Sequence, residues 1–116
     1  MATDEPLAIE RKQGETPDVL IFRLTGPVTL RNLFEFQDQL RSGDLPRASI
    51  LDLSAVPYMD SAGMGAILNY YVHCQKSGVK LIVAGVNGRV MELFKLVRVD
   101  TLISIAASAD EAEASF

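Results

Sequence analysis

Three short runs, Val19–Leu24 (VLIFRL), Ala48–Ser54 (ASILDLS) and Val79–Gly85 (VKLIVAG), are apolar almost without interruption and rich in Leu, Ile and Val. Strands that are covered on both faces have this appearance, because neither side of the pleat has to meet water. Between and after them lie segments of helical character: Leu30–Ser42, Ser61–Lys76 and Asn87–Val99. Strands that alternate with helices of this length pair in parallel through right-handed crossovers, with the helices packed on the sheet. The expected fold is therefore α/β, a mixed and mostly parallel sheet with its helices in one layer pair. Val19–Leu24, Ile50–Leu53 and Leu81–Val83 should be its central strands.

The punctuation between these segments supports that division. Pro6–Arg11 (PLAIER) reads as a further strand, joined to Val19–Leu24 by the polar turn KQGETPD as an edge hairpin. Leu30, Leu33, Phe34 and Leu40 form one apolar helical face, with Thr29 placed as an N-cap and Gly43 beyond the last turn. Ser77 and Gly78 close the second helix, Asn87 caps the third, and Thr101–Ile105 is a short strand. The end of the chain, SADEAEASF, reads as a weak helix or a tail. With 116 residues and no internal repeat or linker, the chain is expected to be one domain over 1–116, with its core at about 7–106 and 107–116 outside it.

Composition narrows the function classes. The net charge is −4, and the eleven Lys and Arg are scattered, whereas phosphate neutralisation by a nucleic-acid binder needs a basic patch. Cys74 is the single cysteine, which excludes an internal disulfide and reads as a small buried hydrophobe. No run reaches the roughly 20 apolar residues that cross a bilayer, and the start of the chain lacks a signal-peptide pattern. The expectation is a soluble, cytoplasmic protein without membrane insertion or direct nucleic-acid contact.

Chemistry centres on DLSAVPYMDSAGMGAIL, Asp52–Leu68, where a strand gives way to a helix at Ser61. A hydrolase nucleophile would need a histidine at hand, but His73 lies about 18 Å further along the same helix. His73 reads as a surface or partly buried helix residue. Phosphate binding at DSAGMG would need a Walker lysine, and there is none from Asp52 to Gln75. Asp52 and Asp60 have no His or Cys nearby to complete a metal site; they read as a strand-end residue that holds the loop and as a helix N-cap. No catalytic residue, metal or cofactor is expected. The helix after Ser61 is apolar nearly all round, so some of Met64, Ile67, Leu68, Tyr70, Tyr71, Val72 and Cys74 must face away from the sheet. For Tyr58, Met59 and Met64 two readings stand: packing on flanking helices, or a small exposed patch for a partner.

A strand ending in D-x-S, a five-residue loop and then D-S-x-G-[LM]-G-x-[IL]-L resembles the signature of the STAS domain, the family of anti-sigma factor antagonists and related modules. The likeness extends more loosely over Val19–Ile105. It implies that Ser61 is phosphorylated by an anti-sigma factor that is itself a serine kinase, and dephosphorylated by a PP2C-type phosphatase. It further implies that Tyr58, Met59, Asp60, Ser61, Gly63 and Met64 contact that partner while Ser61 is unmodified, releasing the sigma factor. An alternative within the family is a scaffold subunit of a stress-signalling or lipid-transport complex. Two departures stand out: GPVT (Gly26–Thr29) replaces the acidic G-E-L-D of many antagonists, and Arg98 stands where a glycine often ends the third helix.

Overall fold

The structure is a computed structural model that describes residues 7–41, 43 and 46–116. The apolar runs become strands β2 (Val19–Thr25), β3 (Ala48–Ala55) and β4 (Lys80–Ala84), flanked by β1 (Ala8–Gln13) and β5 (Ser104–Ala106). Sheet order follows chain order, β1-β2-β3-β4-β5. β1 runs antiparallel to β2, as expected of the hairpin, and β2 through β5 are parallel. The crossovers carry α1 (Leu33–Arg41), α2 (Ser61–Ser77) and α3 (Gly88–Leu96), and α4 (Ala109–Ala114) follows β5. Ile50, Leu51 and Ile82 are all buried, as strands covered on both faces require. The strand start at Pro6 and the first helix's end at Ser42 fall outside the described residues.

Side-chain alternation sorts the core into two layers. Phe22, Leu51 and Val83 point to the side of α1, α2 and α3, where Phe36, Ile67 and Phe94 close over them. Ile21, Ile50 and Ile82 point the other way, and there α4 covers them with Ala112. The expectation of one layer pair with 107–116 outside the core is thus corrected: helices lie on both faces, and Ala112 is fully buried. The Glu113 carboxylate, which accepts from the Thr16 N–H at 2.6 Å, ties α4 to the hairpin turn. Alanines are what let so short a helix approach the sheet, and alanines give no apolar periodicity to read.

The first helix differs in phase from its expected face. Leu30–Asn32 forms a separate 3-10 turn, and Thr29 does occupy the capping position before it. The stripe on the sheet is Leu33, Phe36 and Leu40, whereas Leu30 and Phe34 are 66% and 76% exposed. Residues 33, 36 and 40 are spaced i, i+3 and i+7, so they share one face of the helix, and the tighter preceding turn rotates Leu30 out of line with them.

The all-round apolar character of α2 has a simple resolution. Met64, Ile67, Tyr70 and Cys74 are buried, Leu68 and Tyr71 pack partly buried against the same core, and only Val72 faces out substantially. The Tyr70 hydroxyl donates to Ser49 Oγ at 2.9 Å, which satisfies both buried groups. Burial pushes the Cys74 thiol up from its ordinary value, so it stays protonated and inert. His73 is half-buried with its ring stacked on Tyr70.

Arg98 ends α3 in the left-handed region, at φ 61° and ψ 25°. A residue with a Cβ is strained there by roughly 1 kcal/mol, and glycine is not. Arg98→Gly is expected to raise the midpoint of thermal unfolding by about 4 °C, followed by circular dichroism.

Candidate functional site

In a parallel sheet the loops that leave neighbouring strands emerge at the same end, and here two of them are strapped together. Val28, after β2, forms an isolated parallel bridge with Met59, after β3. The Val28 N–H donates to the Tyr58 carbonyl at 3.3 Å, and the Asp60 N–H donates to the Val28 carbonyl at 3.2 Å. From the other side, the Asn87 amide donates to the carbonyls of Val56 and Pro57 at 3.1 and 3.2 Å. Asn87 also caps α3 as expected, its Oδ1 accepting from the Val90 N–H at 2.8 Å.

Asp60 is the N-cap of α2, with Oδ1 accepting from the Gly63 N–H at 2.9 Å. Its second oxygen accepts from the Leu30 N–H at 3.1 Å, so one carboxylate joins the starts of the first two helical segments. Ser61 is the first residue of α2, exposed, and its hydroxyl has no hydrogen-bond partner among the described residues. Gly63 is buried because the helix start presses on the β2–α1 loop: a Cβ there would run into the Val28 carbonyl. Tyr58 is half-buried, with the Arg89 guanidinium over its ring at 5.3 Å from the centroid.

Between the two readings of the apolar residues, the structure decides for packing in two cases. Met59 and Met64 are 8% and 3% exposed and belong to the main core, so they do not form an exposed patch. The parallel bridge turns Met59 inward, and Met64 falls on the sheet-facing side of α2 with Ile67. Of the six expected contact residues, Asp60 and Ser61 are exposed, Tyr58 is half-exposed, and Met59, Gly63 and Met64 lie beneath them. Exposed apolar surface at this end is supplied instead by Leu30 and Phe34. Their spacing alone points to the core, and the sequence signal for the opposite is the competing stripe through Phe36.

Asp52 holds its loop as expected, Oδ1 accepting from the Ser54 N–H at 3.0 Å. It also pairs with Arg23 at 3.5 Å. Alternation sets Asp52 on the α4 face with Ile50, so of the two acids only Asp60 stands beside Ser61. Among the described residues no three of His, Cys, Asp and Glu come together as metal ligands, and no helix is long and apolar enough to cross a membrane.

Comparison with known proteins bears on the family and the fold. The chain is 25% identical over 101 residues to the anti-sigma-B factor antagonist of Listeria monocytogenes, covering 85% of this chain and 88% of that protein. The fold matches an anti-sigma factor antagonist from Mycobacterium paratuberculosis with a TM-score of 0.83 at 17% identity, over 98% of this chain and 96% of the other. It also matches a sulfate transporter family protein from Wolinella succinogenes with a TM-score of 0.76 at 23% identity, over 89% and 88% of the two chains. The family model of the STAS domain matches residues 12–112. With that match spanning most of the sequence, and a mostly parallel sheet whose motif serine opens α2, the chain belongs to the STAS domain family.

Proposed function

We propose that this protein is an anti-sigma factor antagonist of the cytoplasm, a regulator rather than an enzyme. With Ser61 unmodified it binds an anti-sigma factor that is also a serine kinase, and the sigma factor is released. Phosphorylation of Ser61 switches the protein off, and a PP2C-type phosphatase restores it. The observation that carries this reading is the setting of Ser61: exposed, with a hydroxyl free of internal hydrogen bonds among the described residues, and next to a carboxylate whose two oxygens are both held by backbone N–H groups. Asp60 therefore has little freedom to swing away. A phosphate adds about −1.5 to −2 charge, so the modified face would present a fixed concentration of negative charge to a desolvated interface. The N-terminus of α2 would offset part of it, leaving the domain folded. The antagonist names of the relatives support the same role.

The contact residues under this reading are Ser61, Asp60 and Tyr58 at the surface, with Met59, Gly63 and Met64 shaping them from below. Incubation with the cognate kinase and ATP is expected to add one phosphate, on Ser61 and not on Ser54 or Ser77. Ser54 sits against Gly85 and in the turn held by Asp52, and Ser77 lies at the opposite end of α2. Mass spectrometry that locates the phosphate on either of those would overturn the assignment.

A further inference from the structure

The first turns of α1 and α2 lie side by side and run in the same direction. The Leu30 N–H meets Asp60 at one end, and Arg41 donates to the Asn69 side chain at 3.2 Å at the other. That alignment sets Phe34 level with the first turns of α2. Leu30 and Phe34, four residues apart, stand on the solvent side, while Leu33, Phe36 and Leu40 make the contacts with the core. Neither side chain belongs to the core formed by the described residues.

Gly65 is the second unexplained feature, and it lies on the neighbouring helix. Glycine inside a helix costs stability relative to alanine. At Gly63 the Val28 carbonyl explains the choice, but a Cβ on Gly65 would meet nothing within 4 Å, and the residue is exposed. No contact among the described residues requires glycine there. Ser61 and Gly65, one turn apart, leave α2 with a shallow shelf beside the Leu30–Phe34 ridge.

We propose that ridge and shelf are one docking surface, continuous with Ser61, on which the anti-sigma factor seats an apolar side chain between α1 and α2. Phe34 and Leu30 supply the apolar wall, and Gly65 admits the close approach. This rests on the antagonist reading and adds the chemistry of the contact: an apolar anchor beside the phosphorylatable serine, with Gly65 of the motif leaving room for it and Phe34, outside the motif, as the determinant of specificity.

The test is calorimetric titration of the full chain with the anti-sigma factor kinase of its own genome, alongside thermal unfolding of each variant. Phe34→Ser is expected to lower affinity at least tenfold with an unchanged unfolding midpoint. Gly65→Ala is expected to raise the midpoint by about 3 °C and yet to lower affinity at least tenfold. Opposite signs in the two measurements separate a contact role from a folding role. Leu96→Ser, equally exposed at the far end of α3, should leave binding unchanged. If Ser61→Asp weakens binding while Phe34→Ser and Gly65→Ala do not, the docking surface is wrong and the antagonist reading stands. If the wild-type chain fails to bind, or Ser61→Asp binds as tightly as wild type, both fall. A Leu96→Ser loss as large as that of Phe34→Ser, or a wild-type dimer that Phe34→Ser dissolves, would also overturn the proposal.

Discussion

Ser61→Asp is expected to weaken binding to the anti-sigma factor by about a hundredfold or more, measured by titration, while Ser61→Ala binds nearly as wild type. Like charges brought together in an interface cost several kcal/mol, and each 1.4 kcal/mol or so is a factor of ten. The new carboxylate would stand next to Asp60, which is pinned by Gly63 and Leu30 and so has little scope to relieve the repulsion. Alanine removes a hydroxyl that has no internal partner among the described residues, and leaves no buried group unsatisfied. Both variants should unfold near the wild-type temperature, because an acid in the first turn of a helix is tolerated or mildly favourable. Tight binding by Ser61→Asp would refute the electrostatic switch.

Two residues further on, Gly63→Ala is expected to destabilise the fold by about 3 kcal/mol, seen as a fall of roughly 12 °C in the unfolding midpoint. The added methyl would press on the Val28 backbone, with the carbonyl carbon at 2.9 Å from the new Cβ. Backbone cannot rotate aside as a flexible side chain can. The loop that holds Val28 is itself bonded to Tyr58 and Asp60, so relief means prising the two loops apart. An unchanged midpoint would show that α2 can shift without cost. Gly63 and Gly65 thus carry predictions of opposite sign for stability, although they stand in one short motif.

The sheet was legible in the sequence because the runs around Ile21, Ile50 and Ile82 admit only a covered strand, and their neighbours place the helices between them. The caps at Asp60 and Asn87 were legible for the same local reason, since each side chain acts within its own turn. What could not be read was whatever depends on contact across the fold. The second bond of Asp60 reaches back thirty residues to Leu30, and the ties from Asn87 to Val56 and Pro57 span about as many. Met59 and Met64 looked equally suited to a core or a surface, because an apolar side chain carries no sign of which it will meet. The spacing of Leu30 and Phe34 points them inward, but Leu33, Phe36 and Leu40 satisfy a single helical face better. The role of α4 was invisible because alanine fits the small gap above Ile50 and Ile82 without any hydrophobic signature.

The strap between Val28 and Met59 bears on the thermodynamics and rate of recognition. Loops that must settle on binding lose conformational freedom, and that entropic penalty subtracts from affinity. Here the segments that flank Ser61 in space are bonded to each other, to α3 through Asn87 and to the start of the first helix through Asp60. Little is left to freeze when a partner arrives. A preorganised face of this kind meets its partner at a rate set by orientation rather than by folding, so changes at its surface will act chiefly on how long the complex lasts.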